Sequence, residues 1–165
     1  MNYLIIVLRL IHILAGVFWV GSALMMTFYV GPTVVATAEA GQKFMQHFMG
    51  QTNIQKMMMA SAGASLFAGV FLFMDKPPEW HSSSAGIGFG IGAFFAIIGF
   101  VMGILISRNT KAATQLGAQI KGQPTPEQLA QLQTRQKRQA SLSTVNVIAL
   151  IVAVAFMATA RYFTF

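Results

Sequence analysis

Four long apolar runs constrain this chain more than any other feature of it. They cover Tyr3–Val30, Ile54–Met74, Gly86–Ile106 and Leu142–Tyr162, and about 20 helical residues suffice to cross a hydrocarbon core. Lipid offers no partner to an open backbone, so each run has to be helical to cross. The expected fold class is therefore all-α, an integral membrane four-helix bundle, with residues 1–165 forming one domain. Charge agrees with this: 9% of residues are charged, against roughly 25% in soluble proteins. A net charge of +7 would point to nucleic acid in a soluble chain. Here the basic residues flank apolar runs, so the partner they imply is the lipid bilayer, with no nucleic acid. The absence of cysteine excludes disulfides, thiolate metal sites and thiol nucleophiles.

The first run is longer than a crossing requires. Its 28 residues make a helix of about 42 Å, which has to tilt or protrude. Met1-Asn2-Tyr3 lacks the basic region of a cleavable signal, so the run is read as a permanent span. Gly31-Pro32 is expected to end it. Residues 33–50 carry Phe44, Met45, Phe48 and Met49 at helical spacing, which predicts an interfacial amphipathic helix or an early start to the second span. Gly50 is expected to break that helix, and Thr52 with Gln55 fits a capping box that starts the next at Thr52.

In the second span Ser61, Ser65 and Gly69 form a small-residue stripe that lets another helix approach closely. A polar turn from Asp75 to Ser84 holds Trp80, a residue suited to the membrane interface. The third span presents Gly88, Gly92, Gly99 and Gly103 on one face, with Ala96 between them. Such a face accepts a helix or a flat group. Helix formers continue from Arg108 to Lys121, and Gly122-Gln-Pro124-Thr-Pro126 makes a turn. Thr125 as N-cap, Pro126 at the first position and Gln128 then predict a new helix running without interruption to Phe165. Residues 107–141 are thus expected to form a protruding cytoplasmic helical hairpin, each arm roughly 22 Å long.

Orientation follows from Lys and Arg. Loops one and three hold Lys43, Lys56, Arg108, Lys111, Lys121, Arg135, Lys137 and Arg138, whereas the opposite side holds Arg9, Lys76 and Arg161. Both termini are expected outside, in the periplasm of a bacterial cell, with the chain multi-pass in the inner membrane.

An ionisable group inside an apolar span is a functional-site hypothesis by default, and the first span has His12 with Arg9 one turn before it. His12, Gly16, Trp19 and Ala23 share a helical face. Imidazole ligates haem iron, a glycine one turn away leaves room for the edge of a flat macrocycle, and Arg9 is placed for propionates. Arg9, Lys76 and Arg161 face only Asp75 and Glu79, which leaves one cation over on that side. Met157, about one turn inside Arg161, is singled out as a second ligand at the depth of His12. The alternative is a histidine bonded to a carbonyl of the neighbouring helix, with Arg9 snorkelling outward. His47 belongs to the opposite side, and His81 lies in the outer turn. No three-ligand cluster predicts catalytic zinc. Met57-Met58-Met59 and Met25-Met26 raise Cu(I), yet consecutive methionines point in different directions and cannot make one site, so adaptable core filler is the favoured reading. Ser61 and Ser65 lack a nearby base, and the run Gly86 to Gly92 opens a membrane helix with no preceding strand, unlike a phosphate loop.

The pattern Leu8-Arg9-Leu10-Ile11-His12, followed by Gly16, Trp19, Val20 and Gly21, resembles the first helix of small membrane proteins related to the copper-resistance protein CopD. It is also similar to the opening of HemJ-type protoporphyrinogen oxidases, as is Phe28-Tyr29-x-x-Pro32. Phe156-Met-Ala-Thr-Ala-Arg161-Tyr162 resembles the tail of unassigned CopD-like proteins. The resemblance implies a single-histidine haem or metal site in the outer half of a four-helix bundle. Further histidine and lysine residues expected in later helices of the HemJ type have no counterpart in Gly86–Ile106, so the oxidase reaction is not implied.

The expected function is binding of haem b through His12, with Arg9 and Arg161 near the propionates, for electron transfer or haem handling in a redox accessory rather than a stand-alone enzyme. The sixth ligand is absent or is Met157, His81 or the His12 of a second copy. A cofactor-free structural subunit of a homo-oligomer or larger membrane complex is the second expectation, and a copper-handling protein the third.

Overall fold

A computed structural model describes residues 3–120 and 122–164. Met1, Asn2, Lys121 (one of the hairpin cations counted above) and Phe165 lie outside the described residues. The described chain is a succession of helices joined by short turns, with no strand among the described residues. α1 covers Tyr3–Met25, a π-helical turn covers Met26–Val30, and α2 (Gly31–Ala36) continues the same rod. α3 is Ala38–Gln51, α4 Ile54–Met74, α5 the single turn Pro78–His81, α6 Ser84–Gln119 and α7 Pro126–Thr159, closed by a 3₁₀ turn at Ala160–Tyr162. Four of these stretches are long and apolar enough to cross a membrane: Tyr3–Ala36, Ile54–Met74, Ser84–Gln119 and Pro126–Tyr162.

The helices form two tight antiparallel pairs, α1 with α4 and α6 with α7. α4 also meets α6 and α7 meets α1, so the order around the bundle follows the chain. Small residues set the closeness within each pair. A Cβ added at Gly99 would lie 2.6 Å from Leu150 Cδ2, and one at Gly92 would lie 3.1 Å from Met157 Cγ and 3.2 Å from the Ala153 carbonyl oxygen. The glycine face of the third span therefore receives a helix, α7, rather than a flat group. The pairs join around Trp19, Ala23, Ala62, Val147 and Leu150, with Val20, Met58, Leu66 and Phe100 packed against them. The Trp19 ring meets Phe100 edge-on at 6.5 Å. Outward, Leu14, Val17, Phe67, Phe94, Ile97, Ile148 and Ile151 are all exposed. A girdle of that size calls for lipid, because a water-soluble monomer does not expose so wide an apolar surface. The chain is a membrane helical bundle.

Four boundaries differ from expectation, and one is the far end of α7, which stops at Thr159 and passes through a 3₁₀ turn to Tyr162 with Phe163 extended, instead of running on unbroken. Gly31-Pro32 does not end the first helix. A proline inside an α-helix lacks the N–H and clashes with the carbonyl four residues back. Here the preceding turn widens: the Gly31 N–H bonds to the Met26 carbonyl, five residues back, and the rod carries on to Ala36. It turns at Ala38, whose φ of 45° lies in the left-handed region. Gly50 does not break α3, which runs to Gln51. Nor is Thr52 the N-cap of α4, although its Oγ1 accepts the Ile54 N–H at 3.4 Å. Its hydroxyl donates back to the Phe48 carbonyl, closing α3, and α4 begins at Ile54 after Asn53. Gln55, the expected partner in the box, instead donates from Nε2 to Ser107 Oγ on α6 at 2.8 Å.

The expected helix–turn–helix is present between the third and fourth spans. α6 and α7 extend past the apolar span as paired arms, Gly122 takes the φ of 88° at the turn, and Thr125 and Gln128 form the reciprocal capping box at the start of α7. Asn109 on α6 ties the base of the arms. Its Nδ2 donates to the Arg135 carbonyl at 3.0 Å and to Gln139 Oε1 at 2.9 Å on α7.

Candidate functional site

His12 is the ionisable residue that faces inward from α1. Because α1 and α4 run antiparallel in close contact, the stripe Ser65–Gly69 lies directly against it. His12 Nδ1 lies 2.8 Å from the Ser65 carbonyl oxygen. A carbonyl only accepts, so Nδ1 carries the proton and, in the neutral ring, Nε2 carries the lone pair. In return the Ser65 hydroxyl donates to the His12 carbonyl at 3.0 Å. Ser65 is buried, and its backbone and side chain each hold one end of His12.

Gly69 makes the seat. A Cβ there would come within 2.9 Å of His12 Cε1 and 3.0 Å of Nδ1, while Nε2 stands farther off at 3.9 Å. The ring thus rests its Nδ1 edge on Gly69 and directs Nε2 away from it. This is the arrangement in which histidines bind metals: one nitrogen donates to a carbonyl, fixing the ring and its tautomer, and the other is left for the ligand.

The remaining expected site residues have other neighbours. Gly16 shares the face of His12, but the space its missing Cβ leaves is taken by Ser65 Oγ, at 3.2 Å. It admits α4, not the edge of a macrocycle. Trp19 is buried in the bundle core against Phe100. Met157 lies over Gly92 in the α6–α7 interface. Arg9 is exposed. Arg161 is exposed too, its guanidinium 4.9 Å from the Tyr162 ring centroid. His47 is exposed on α3. His81 sits in the α5 turn with its ring 4.6 Å from Phe73 and 5.6 Å from Trp80. Lys76 stands over the same Trp80 at 5.8 Å.

Ser65 and Gly69 are the residues that sequence reasoning did not assign to the site. Their spacing marks them as a helix-contact stripe, and only the α1–α4 register turns that stripe into the seat of His12. Among the described residues no group of three or more His, Cys, Asp or Glu side chains is placed to hold a metal ion. The methionine triplet diverges: Met57 is exposed, Met58 joins the core and Met59 reaches toward Gly103. No protein-family model, curated protein or solved structure matches the chain.

Proposed function

We propose that this protein binds a b-type haem in its membrane bundle through Nε2 of His12, and that it serves electron transfer or haem handling beside a larger partner. The observation that carries this reading is the bond from His12 Nδ1 to the Ser65 carbonyl, which leaves Nε2 as the ligating nitrogen on a ring already fixed in place. Haem bound there supplies one-electron redox chemistry. The chain's own part is mechanical and electrostatic. Ser65 and Gly69 hold the imidazole, the apolar spans exclude water, and Arg9 and Arg161 offer positive charge to carboxylates at the terminal end of the bundle. Met157 is engaged with Gly92, so the reading needs no ligand from it. His81 or the His12 of a second copy remains for the sixth position if that position is filled.

The kinship proposed is with CopD-like membrane proteins, on the residues around His12. Sidedness belongs to the same reading. The hairpin cations argue for a cytoplasmic hairpin and termini outside, in a cell inner membrane. The second reading is a cofactor-free structural subunit. It is favoured by the way Gly16 and Gly69 close on Ser65 and His12, since such reciprocal bonds also serve helix packing. Copper handling comes third, as an alternative metal at the same nitrogen.

Titration of the purified protein in mild detergent with haem separates these readings. The proposal expects saturation at one haem per chain, or per two chains if a second His12 completes the site, and no saturable binding by His12→Ala. Absence of saturable binding by the wild-type chain, with loss of a co-purifying partner in His12→Ala, would establish the structural reading instead. Stoichiometric Cu(I) would establish the third.

A further inference from the structure

The four spans meet in a core layer to which each contributes one residue: Trp19, Ala62, Phe100 and Val147. Trp19, Ala62 and Val147 are buried there. A step of seven residues is almost two full turns, so it returns a helix to nearly the same face about 10 Å along its axis. Taken away from the hairpin, that step leads on the four spans to His12, Gly69, Ala93 and Val154. This second layer is not closed. Val154 is 48% exposed although Val147, on the same face of α7, is 1% exposed. His12, Gly69 and Ala93 are each only partly covered.

Side-chain volume accounts for the difference. Gly69 and Ala93 bring little, and the space beside Gly69 is taken by the His12 ring. The seam between α4 and α6 is bridged at this end by stacked rings, Phe73 on Trp80 and Trp80 on Phe89. The opening therefore lies on the other seam, between α1 and α7, with His12 on one wall and Val154 on the other. Its lining is apolar except at one atom. His12 Nδ1 is bonded to the Ser65 carbonyl, whereas Nε2 has no hydrogen-bond partner among the described residues and is not enclosed. An exposed cation stands outward of each wall: Arg9 on α1, three residues from His12, and Arg161 just past α7, seven residues from Val154.

We propose that this cleft between α1 and α7 holds the haem and opens sideways to lipid, so that haem reaches His12 from the leaflet at the terminal end of the bundle. The inference rests on the haem reading of His12 and adds the place and the route. A flat apolar ligand with two carboxylates matches what the cleft offers: apolar walls, one free imidazole nitrogen, and a cation above each wall. A lipid chain would suit the walls but would leave the nitrogen without a partner, which is costly inside a membrane.

Two measurements test this. The chain has no cysteine, so Val154→Cys and Ile148→Cys can each carry a single nitroxide label in a phosphatidylcholine bilayer. Ile148 faces outward and is 57% exposed. Without haem, the label at 154 should collide with dissolved oxygen as often as the label at 148. Shielding of the label at 154 relative to 148 overturns the cleft. In haem titrations of the full chain in mild detergent, Val154→Trp fills the space and should weaken binding about tenfold, while Ile148→Trp should bind as the wild type does. Ala93→Leu fills the same space from α6 and gives the comparison should Val154→Trp lose helix by circular dichroism. Undiminished binding by the filled variants overturns the placement and leaves the haem reading standing. Absence of binding by the wild-type chain removes that reading and this proposal together.

Discussion

His12 is held by a bond at each end of the residue, and that makes its environment sensitive to single atoms. Gly69→Ala puts a methyl group 2.9 Å from the ring. The imidazole has to tilt, its bond to the Ser65 carbonyl is lost, and overpacking of this kind costs about 1–3 kcal/mol. We expect the variant to lower the unfolding midpoint in detergent and to lose haem affinity together. Gly63→Ala, which meets open space, should do neither. A thermal melt of both variants checks the contrast, and equal behaviour would contradict the seat. Ser65→Ala removes the hydroxyl that donates to the His12 carbonyl but keeps the carbonyl that orients the ring. It should cost about 1 kcal/mol in stability and retain haem, a split that separates ring orientation from helix packing. A harsher outcome is expected at Gly86, where a Cβ would fall 2.1 Å from the Trp80 carbonyl oxygen and 2.8 Å from His81 Cα. Backbone atoms in the α5 turn cannot swing aside as a side chain can. Gly86→Ala should therefore disrupt the turn before α6, seen as a change in Trp80 fluorescence, and Gly90→Ala, with open space around it, should not.

At the scale of elements, legibility followed the range of the signal. The start of α7 was readable because every part of it lies within four residues: Thr125, Pro126 and Gln128 make the capping box the sequence announces. Thr125→Ala should therefore cost about 1 kcal/mol, read as faster amide exchange in the first turn of α7. The end of the first helix was misread because Pro32 is a breaker only if the helix ahead of it keeps its α register. The π turn at Met26–Val30 removes that condition. Pro32→Ala is accordingly expected to leave helix content unchanged and to let Met26–Val30 return to α-helical hydrogen bonding. Amide exchange across Met26–Val30 reports this, and loss of helix in the variant would contradict it. Thr52 and Gln55 had the spacing of a box but found better partners elsewhere: the Phe48 carbonyl for one and Ser107, in another helix, for the other. The His12 seat was half legible for the same reason. Each stripe, His12–Gly16 and Ser65–Gly69, is visible in its own helix, whereas the register that joins them is a property of the pair. Glycine faces raised the same ambiguity. Gly88, Gly92 and Gly99 were compatible with a flat ligand until α7 was seen to fill them.

The whole molecule is a bundle whose fully buried interior is small and concentrated around Trp19, Val147 and Leu150. Its outward surface is apolar along the spans and its hairpin end is basic. This division was legible from composition and periodicity, because membrane burial needs only length and hydropathy. Function was less so. Among the described residues the feature on which the proposed chemistry stands, an imidazole with its Nδ1 committed to a carbonyl, arises from a contact between residues 12 and 65. Everything proposed about haem rests on Nε2 of that ring.

The reduced-minus-oxidised absorption spectrum of the haem-supplemented protein in mild detergent, recorded side by side for the wild-type chain and His12→Ala, therefore tests the account most directly. A b-type difference spectrum in the wild type that vanishes in His12→Ala is the predicted result. A spectrum of equal intensity in both, or none in either, would contradict it.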